Sequence, residues 1–102
     1  SPEKIAQNLD RSKISISIEN GSGLEGTAAK ASDFLKGKGY NIVSTANADS
    51  YNYKGTTIKV KNSTNAYLNL LKKDLSEKYT ISNTSSDLSQ DFTVDALVII
   101  GK

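Results

Sequence analysis

Residues 13–37, KISISIENGSGLEGTAAKASDFLKG, contain the change of hydrophobic period that decides the fold. Isoleucine occupies every second position from 14 to 18, and this period of two predicts a strand with one buried face. Apolar residues then recur at spacings of three and four, which predicts an amphipathic helix that ends at Gly37 and Gly39. The apolar stripe of this helix is predicted to comprise Leu24, Ala28, Ala31 and Leu35.

The remaining patterns predict a mixed α/β order. Strands are expected at 40–46, 56–61, 79–83 and 96–100, and a second helix at 66–78. The apolar run at 96–100 does not alternate, which is typical of a strand buried on both sides or paired centrally. The polar residues 84–92 are predicted to form a loop. An edge strand within residues 83–93 is the alternative.

This order favours an α/β (α+β) sandwich, with one mixed sheet of four or five strands and two helices packed on one face. Because the strands around 14–18 and 58–60 alternate, the other face is expected to be open and polar. The residues expected on that open face are Ser15, Ser17, Lys59 and Lys61.

The length of 102 residues suits one domain. Residues 1–12 are predicted to be a linker or a frayed N-terminal segment, and 13–102 the domain itself. No signal peptide or apolar run of about 20 residues is present, so any membrane anchor of the protein is expected outside these residues.

Composition excludes several kinds of chemistry. The chain has no His, Cys, Met or Trp, which excludes thiol nucleophiles, disulfides, the Ser-His-Asp triad and nearly all zinc chemistry. The net charge is only +2, and Arg11 is the single arginine among scattered lysines. Because phosphate recognition favours clustered cations and arginine, no nucleic-acid partner is expected. No cofactor or metal is expected either.

Three glycines, Gly21, Gly23 and Gly26, have the G-x-G-x-x-G spacing of a dinucleotide-binding loop between a strand and a helix. Asp49 follows at about the distance, roughly 20 residues, of the acidic residue that holds the ribose in such folds. The small size and the single-faced strands argue against a doubly wound nucleotide fold. A phosphate or anionic glycan bound through the loop N–H groups is a further alternative.

The favoured interpretation of these glycines is a tight turn. Gly21 and Gly23 would supply positive φ, and Asn20 or Ser22 would cap the helix. Gly26 would allow the helix to approach the sheet closely.

Motifs spread from about residue 13 to residue 101 resemble one known family, the LytR C-terminal domain of LytR-CpsA-Psr proteins. They are Ile18-Glu19-Asn20-Gly21-Ser22-Gly23, Gly26 with Ala28, Gly39-Tyr40-Asn41-Ile42-Val43, Asn47-Ala48, Tyr53 with Thr56, Thr57 and Ile58, Ala66, and Asp95-Ala96-Leu97-Val98-Ile99-Ile100-Gly101. The resemblance implies a bacterial, extracytoplasmic accessory domain of the cell envelope. Such a domain would follow a catalytic LytR-CpsA-Psr domain or a membrane anchor, and would not itself be an enzyme.

The residues available for catalysis in this chain are mainly carboxylates. Two flank the glycine loop and three lie near the last strand, and all are expected to be solvated loop charges. They are Glu19, Glu25, Asp87, Asp91 and Asp95. The last three also lack the spacing and the glycine of an EF-hand calcium loop.

The binding hypothesis rests on the loop and on two tyrosines, because tyrosine can stack on a sugar ring while its hydroxyl forms a hydrogen bond. The expected contacts with peptidoglycan or an attached wall polymer are Asn20, Ser22, Gly23, Tyr51 and Tyr53. Alternatively, Tyr53 packs over the edge of the helices as part of the core. A second hypothesis is a protein interaction domain that docks a membrane or envelope protein through its sheet edge or open face, without a glycan ligand.

Overall fold

The structure, a computed structural model, describes residues 9–102. Its strands are β1 (Ser15–Asn20), β2 (Asn41–Asn47), β3 (Thr56–Lys61), β4 (Ile81–Leu88) and β5 (Ala96–Ile100). Its helices are α1 (Thr27–Gly37) and α2 (Ala66–Leu75), and 3-10 turns lie at Arg11–Lys13 and Asn62–Thr64. The mixed α/β order predicted from the sequence is confirmed.

The five strands form one mixed sheet in the order β2-β1-β5-β3-β4. Strand β1 is parallel to β2 and to β5, whereas β3 is parallel to β4 and antiparallel to β5. The sheet therefore joins two strand–helix–strand units, β1-α1-β2 and β3-α2-β4, through the C-terminal strand. All five residues of β5 are buried, as its continuous apolar run predicts.

Both helices pack on one face of the sheet and share one hydrophobic core. The three isoleucines of the first strand region are fully buried beneath them, together with residues of the other inner strands. Helix α1 contributes Ala28, Ala31 and Leu35, and α2 contributes Leu71 and Leu75. The predicted two-helix layer on one face is confirmed.

Helix α1 begins three residues later than its apolar spacing predicts. The backbone of Gly26 is left-handed, with φ of +83°, so the helix starts at Thr27. Leu24 lies in the preceding turn and its side chain is 68% exposed, so its predicted place in the core stripe is wrong. The C-terminal end is as predicted, since Gly37 is the last helical residue.

The loop predicted at 84–92 is wrong for residues 84–88, which belong to β4. Residues 84–88 continue the strand, parallel to β3, with a register irregularity near each end. An edge strand needs backbone hydrogen bonds along one side only, and it lies partly in solvent, so its side chains do not need an apolar pattern. Strand β4 therefore consists largely of polar Asn, Ser and Thr residues, and its sequence shows no strand pattern.

The face of the sheet away from the helices is polar only along its flanks. Leu97 lies between Ser17 and Lys59 in the register, yet Leu97 is only 7% exposed. Ile99, two residues further along the same face, is 2% exposed. The prediction of an open polar face is therefore wrong at its centre, which is apolar and buried.

The segment just before β1 is fastened to α2. Arg11 donates from Nε to Asp74 Oδ2 at 2.8 Å, and the hydroxyl of Tyr40 donates to the same oxygen at 2.6 Å. The hydroxyl of Tyr67 donates to the carbonyl of Asp10 at 2.9 Å. Residues 1–8 of the predicted linker lie outside the described residues, and its residues Asp10 and Arg11 form these hydrogen bonds with α2.

The Asp74 carboxyl is the charged centre of this contact, and its side chain is only 4% exposed. Burial alone would raise the pKa of Asp74, but the hydrogen bonds from Arg11 and Tyr40 outweigh burial and hold the pKa below its usual value. A carboxyl with a lowered native pKa stabilises the fold above its unfolded pKa, about 3.9, and that stabilisation is lost as the pH falls through the native pKa.

We expect Asp74→Asn to lower the free energy of unfolding by about 2 kcal/mol near pH 7, because Arg11 loses its counterion. The deficit should shrink as the pH falls from 7 toward about 2, because the wild-type carboxyl becomes progressively protonated. Urea unfolding at both pH values measures this, with Asp33→Asn on the exposed side of α1 as the matched control. Equal losses for both variants near pH 7 would contradict the assignment.

Candidate functional site

Three segments meet at one end of the sheet, where β1 and β5 finish and β3 begins. They are the glycine loop (residues 20–26), the tyrosine loop (residues 48–55) and the last two residues. Gly21 N–H donates to the carbonyl of Ile100 at 2.8 Å, and Ala48 N–H donates to that of Asn20 at 2.9 Å. Lys102 N–H donates to the carbonyl of Tyr53 at 2.8 Å. Backbone hydrogen bonds thus hold both loops against the sheet.

The side chains of Asn20 and Ser22 are buried and bond within the glycine loop. Asn20 Oδ1 accepts from Ser22 N–H at 2.9 Å and from Ser22 Oγ at 2.7 Å, while Asn20 Nδ2 donates to the Leu24 carbonyl at 2.7 Å. Ser22 Oγ also accepts from Leu24 N–H at 3.0 Å. These bonds fix the loop from inside. The prediction that Asn20 or Ser22 caps α1 is wrong, because the N-cap residue is Gly26 and no side chain caps the helix.

The same bonds decide between a tight turn and a nucleotide loop. A phosphate-binding loop presents free N–H groups to its ligand. Here the N–H groups of Gly21, Ser22 and Leu24 donate to acceptors within the protein. Together with helices on one face only, this favours the tight turn predicted as the main interpretation.

Two glycines of the loop exchange their predicted roles. Gly21 does not have positive φ; instead, a Cβ atom there would lie 2.6 Å from Tyr53 Cδ2 and 2.9 Å from Ile99 Cγ2. Gly26 has φ of +83° and open space around the Cβ position. Gly21 is therefore needed for close approach and Gly26 for its backbone angle, while the positive φ predicted for Gly23 is confirmed at +80°.

Tyr53 and Tyr51 have different environments. The ring of Tyr53 lies on Gly21, at the end of the sheet face away from the helices, so it does not pack over the helices as the alternative interpretation predicts. Its hydroxyl donates to Asp49 Oδ1 at 2.9 Å, and this bond raises the pKa of Tyr53. Tyr51 is 48% exposed, with its Cβ 3.4 Å from the Cβ position of Gly23.

An exposed apolar surface results on either side of Gly23. Leu24 follows Gly23 in the chain and Tyr51 contacts it from the other loop, and both are among the three large hydrophobic side chains exposed within residues 9–102. We call these two residues the Leu24–Tyr51 surface. Sequence reasoning missed Leu24 by assigning it to α1; the signal available was Gly26, which separates Leu24 from the helix.

Carboxylates adjoin this surface on one side. Burial, followed by the nearby Asp49 carboxylate, raises the pKa of Glu19, and Lys59 opposes that rise. Near β5, Asp95 instead accepts hydrogen bonds from the backbone and hydroxyl of Ser15, both at 3.2 Å. No group of three acidic side chains placed to hold a metal ion occurs within residues 9–102.

The fold and its self-bonded loop define a small α+β domain with two helices on one face of a five-stranded sheet. The sequence model of the LytR_C family, described as LytR cell envelope-related transcriptional attenuator, matches residues 13–102, and the chain belongs to this family. No curated protein matches the chain. Within the part of the chain described, no helix is long and apolar enough to cross a membrane.

Two solved structures share the fold. The soluble domain of a conserved hypothetical secreted protein from Mycobacterium marinum, an Rv2700 ortholog, matches with a TM-score of 0.64 and 18% identity, over 99% of this chain and 68% of that one. The C-terminal domain of RV0431 matches with a TM-score of 0.50 and 18% identity, over 88% of this chain and 73% of that one. At this identity the likeness concerns the fold.

The contact between Gly21 and Tyr53 yields a prediction for stability. Gly21→Ala should cost about 2 kcal/mol, because the new methyl group overlaps the Tyr53 ring. Gly26→Ala should cost about 1 kcal/mol, through its left-handed backbone alone. Urea unfolding measures both.

Repeating the two substitutions in a Tyr53→Ala background separates the causes. The cost of Gly21→Ala should fall there, and the cost of Gly26→Ala should not change. An unchanged cost at Gly21 would show that the Tyr53 ring is not the obstacle.

Proposed function

We propose that this domain is a non-catalytic module that holds an extracytoplasmic bacterial envelope protein on peptidoglycan, through the Leu24–Tyr51 surface. Membership of an envelope-related family supports the location, as does the fold shared with the domain of a secreted protein. The observation that carries the proposal is an exposed tyrosine and leucine on two loops that hydrogen bonds hold rigid.

Three residues, Gly23, Leu24 and Tyr51, contact the glycan directly in this proposal. The ring of Tyr51 offers an apolar face for a sugar ring and a hydroxyl for its polar edge. Leu24 extends the apolar area, and Gly23 between them lacks a side chain that would obstruct a glycan. Because the loops are fixed before binding, little conformational entropy is lost when a ligand is bound.

The other residues proposed as contacts from the sequence act through the loop in this view. Asn20 and Ser22 hold its backbone from inside, and Tyr53 supports it from the sheet. Their substitution would weaken binding by changing the shape of the loop.

Charges of both signs lie at this end of the sheet, so charge gives no preference for an attached anionic polymer. Glu19 and Asp49 lie close enough to each other for Asp49 to contribute to the raised pKa of Glu19. Asp49 also bonds Tyr53, beside the glycine loop. These carboxylates would repel an anionic ligand, Lys54 and Lys102 on the same segments would attract it, and an uncharged sugar would be affected by neither.

We do not extend the proposal to nucleic acid. Arg11 is the single arginine of the chain, and its guanidinium is paired with Asp74. A net charge of +2 also leaves little electrostatic attraction for a phosphate backbone.

The test is co-sedimentation with purified sacculi, before and after acid removal of the attached polymers. We expect retention on both, reduced roughly fivefold or more by Tyr51→Ala, since one exposed aromatic contact is lost. Thr84→Ala, which truncates an exposed side chain on β4 away from both loops, is the control and should bind as wild type.

Each other outcome has a defined meaning. Retention lost on stripping would assign the attached polymer as ligand. Retention unaffected by Tyr51→Ala would remove the Leu24–Tyr51 surface from the proposal. No retention on either preparation would favour the second candidate function, docking of an envelope protein, for which the exposed sheet edge at β2 is the supporting observation.

A further inference from the structure

Strand β2 is an edge strand whose register against β1 is irregular at Val43, but it lacks the charged residues and proline that most often discourage pairing. Its seven residues, NIVSTAN, include no charged residue and no proline, and all except Ile42 are exposed. Edge strands usually carry lysine, another charge or proline, which discourages pairing with a further strand. The opposite edge, β4, does carry a charge at Asp87. The two edges of this sheet are therefore not equivalent.

A groove beside β2 adds a charged border. It has a volume of about 320 Å³ and lies between β2 and α1, with Val43 and Thr45 on the strand side. Val43 is 57% exposed. On the helix side the groove is lined by Asp33 and Lys36, one turn of α1 apart. Within residues 9–102 the ion pairs are Arg11 with Asp74 and Lys38 with Glu77, so neither groove charge is paired.

We propose that the partner of this edge is a second copy of the same chain. The two β2 strands would pair antiparallel about a twofold axis close to Ser44, the middle residue of β2, and join the two five-stranded sheets. Twofold pairing places the same segment of both copies side by side. A charged residue near the axis would therefore lie close to the identical charge of the other copy, which is destabilising. The absence of charge from β2 satisfies this requirement.

The helices supply the complementary charges. Each α1 lies beside its own β2 on the same face of the sheet, so the twofold axis sets the two α1 helices antiparallel across the junction. In that arrangement Asp33 of each copy faces Lys36 of the other. Opposite charges therefore meet twice, and Val43 is removed from water.

This interface uses residues other than the Leu24–Tyr51 surface and does not depend on the proposed function. Sedimentation equilibrium of the 102-residue chain over a range of concentrations tests it directly. We expect the average mass to rise from 11.0 kDa toward twice that value. Val43→Lys, which places two lysines near the axis, should raise the dissociation constant roughly tenfold.

Charge exchange makes the test specific to the proposed geometry. Asp33→Lys should weaken the dimer, since it sets lysine against lysine, and adding Lys36→Asp should restore the dimer by reversing both pairs. Thr84→Lys on the β4 edge is the matched control and should not change the dissociation constant.

The alternatives to the proposed pairing predict different results. A chain that stays monomeric at every concentration overturns the proposal, as does a dimer that Thr84→Lys weakens and Val43→Lys does not. A double charge exchange that fails to restore the dimer overturns the antiparallel arrangement of the helices.

Discussion

The fold depends on the position of β5 between β1 and β3. Two strand–helix–strand units have no connection in the sheet until the last strand enters between them, parallel to one and antiparallel to the other. Strand β5 is the central strand of the five, and all of its residues are buried, on both faces of the sheet. The chain must therefore be complete to its C-terminal strand before its two halves share one core.

That constraint explains which parts of the fold the sequence predicts. Strands β1 and β5 lie deep in the sheet, and burial imposes alternation on β1 and a continuous apolar run on β5. Strand β4 lies at the edge, where backbone hydrogen bonds to β3 specify it, and its residues 84–88 are therefore indistinguishable from a polar loop. The prediction for Leu24 was wrong for a different reason. Apolar spacing does not reveal that Gly26 has a left-handed backbone, and this backbone makes the helix begin after Leu24.

For the candidate site, the sequence predicted which loops are involved better than it predicted what each residue does. Sequence reasoning selected residues of the glycine and tyrosine loops, and the structure brings these loops together at one end of the sheet. The roles depended on contacts that no local pattern contains. Position 21 requires glycine because the Tyr53 ring occupies the space of a Cβ atom, and Tyr53 lies 32 positions further along the chain. Asn20 bonds inward, and no local pattern distinguishes an Asn that bonds inward from one that faces a ligand.

The exposed surfaces then follow from what the fold leaves uncovered. The two helices cover the core, and Arg11 and Tyr40 form hydrogen bonds with the buried carboxylate of Asp74. The large apolar side chains still exposed in the described part of the chain are Leu24, Tyr51 and Val43. Leu24 and Tyr51 lie on the two loops that backbone hydrogen bonds hold against the end of the sheet. Val43 lies on a strand edge with free backbone groups, which suits another strand.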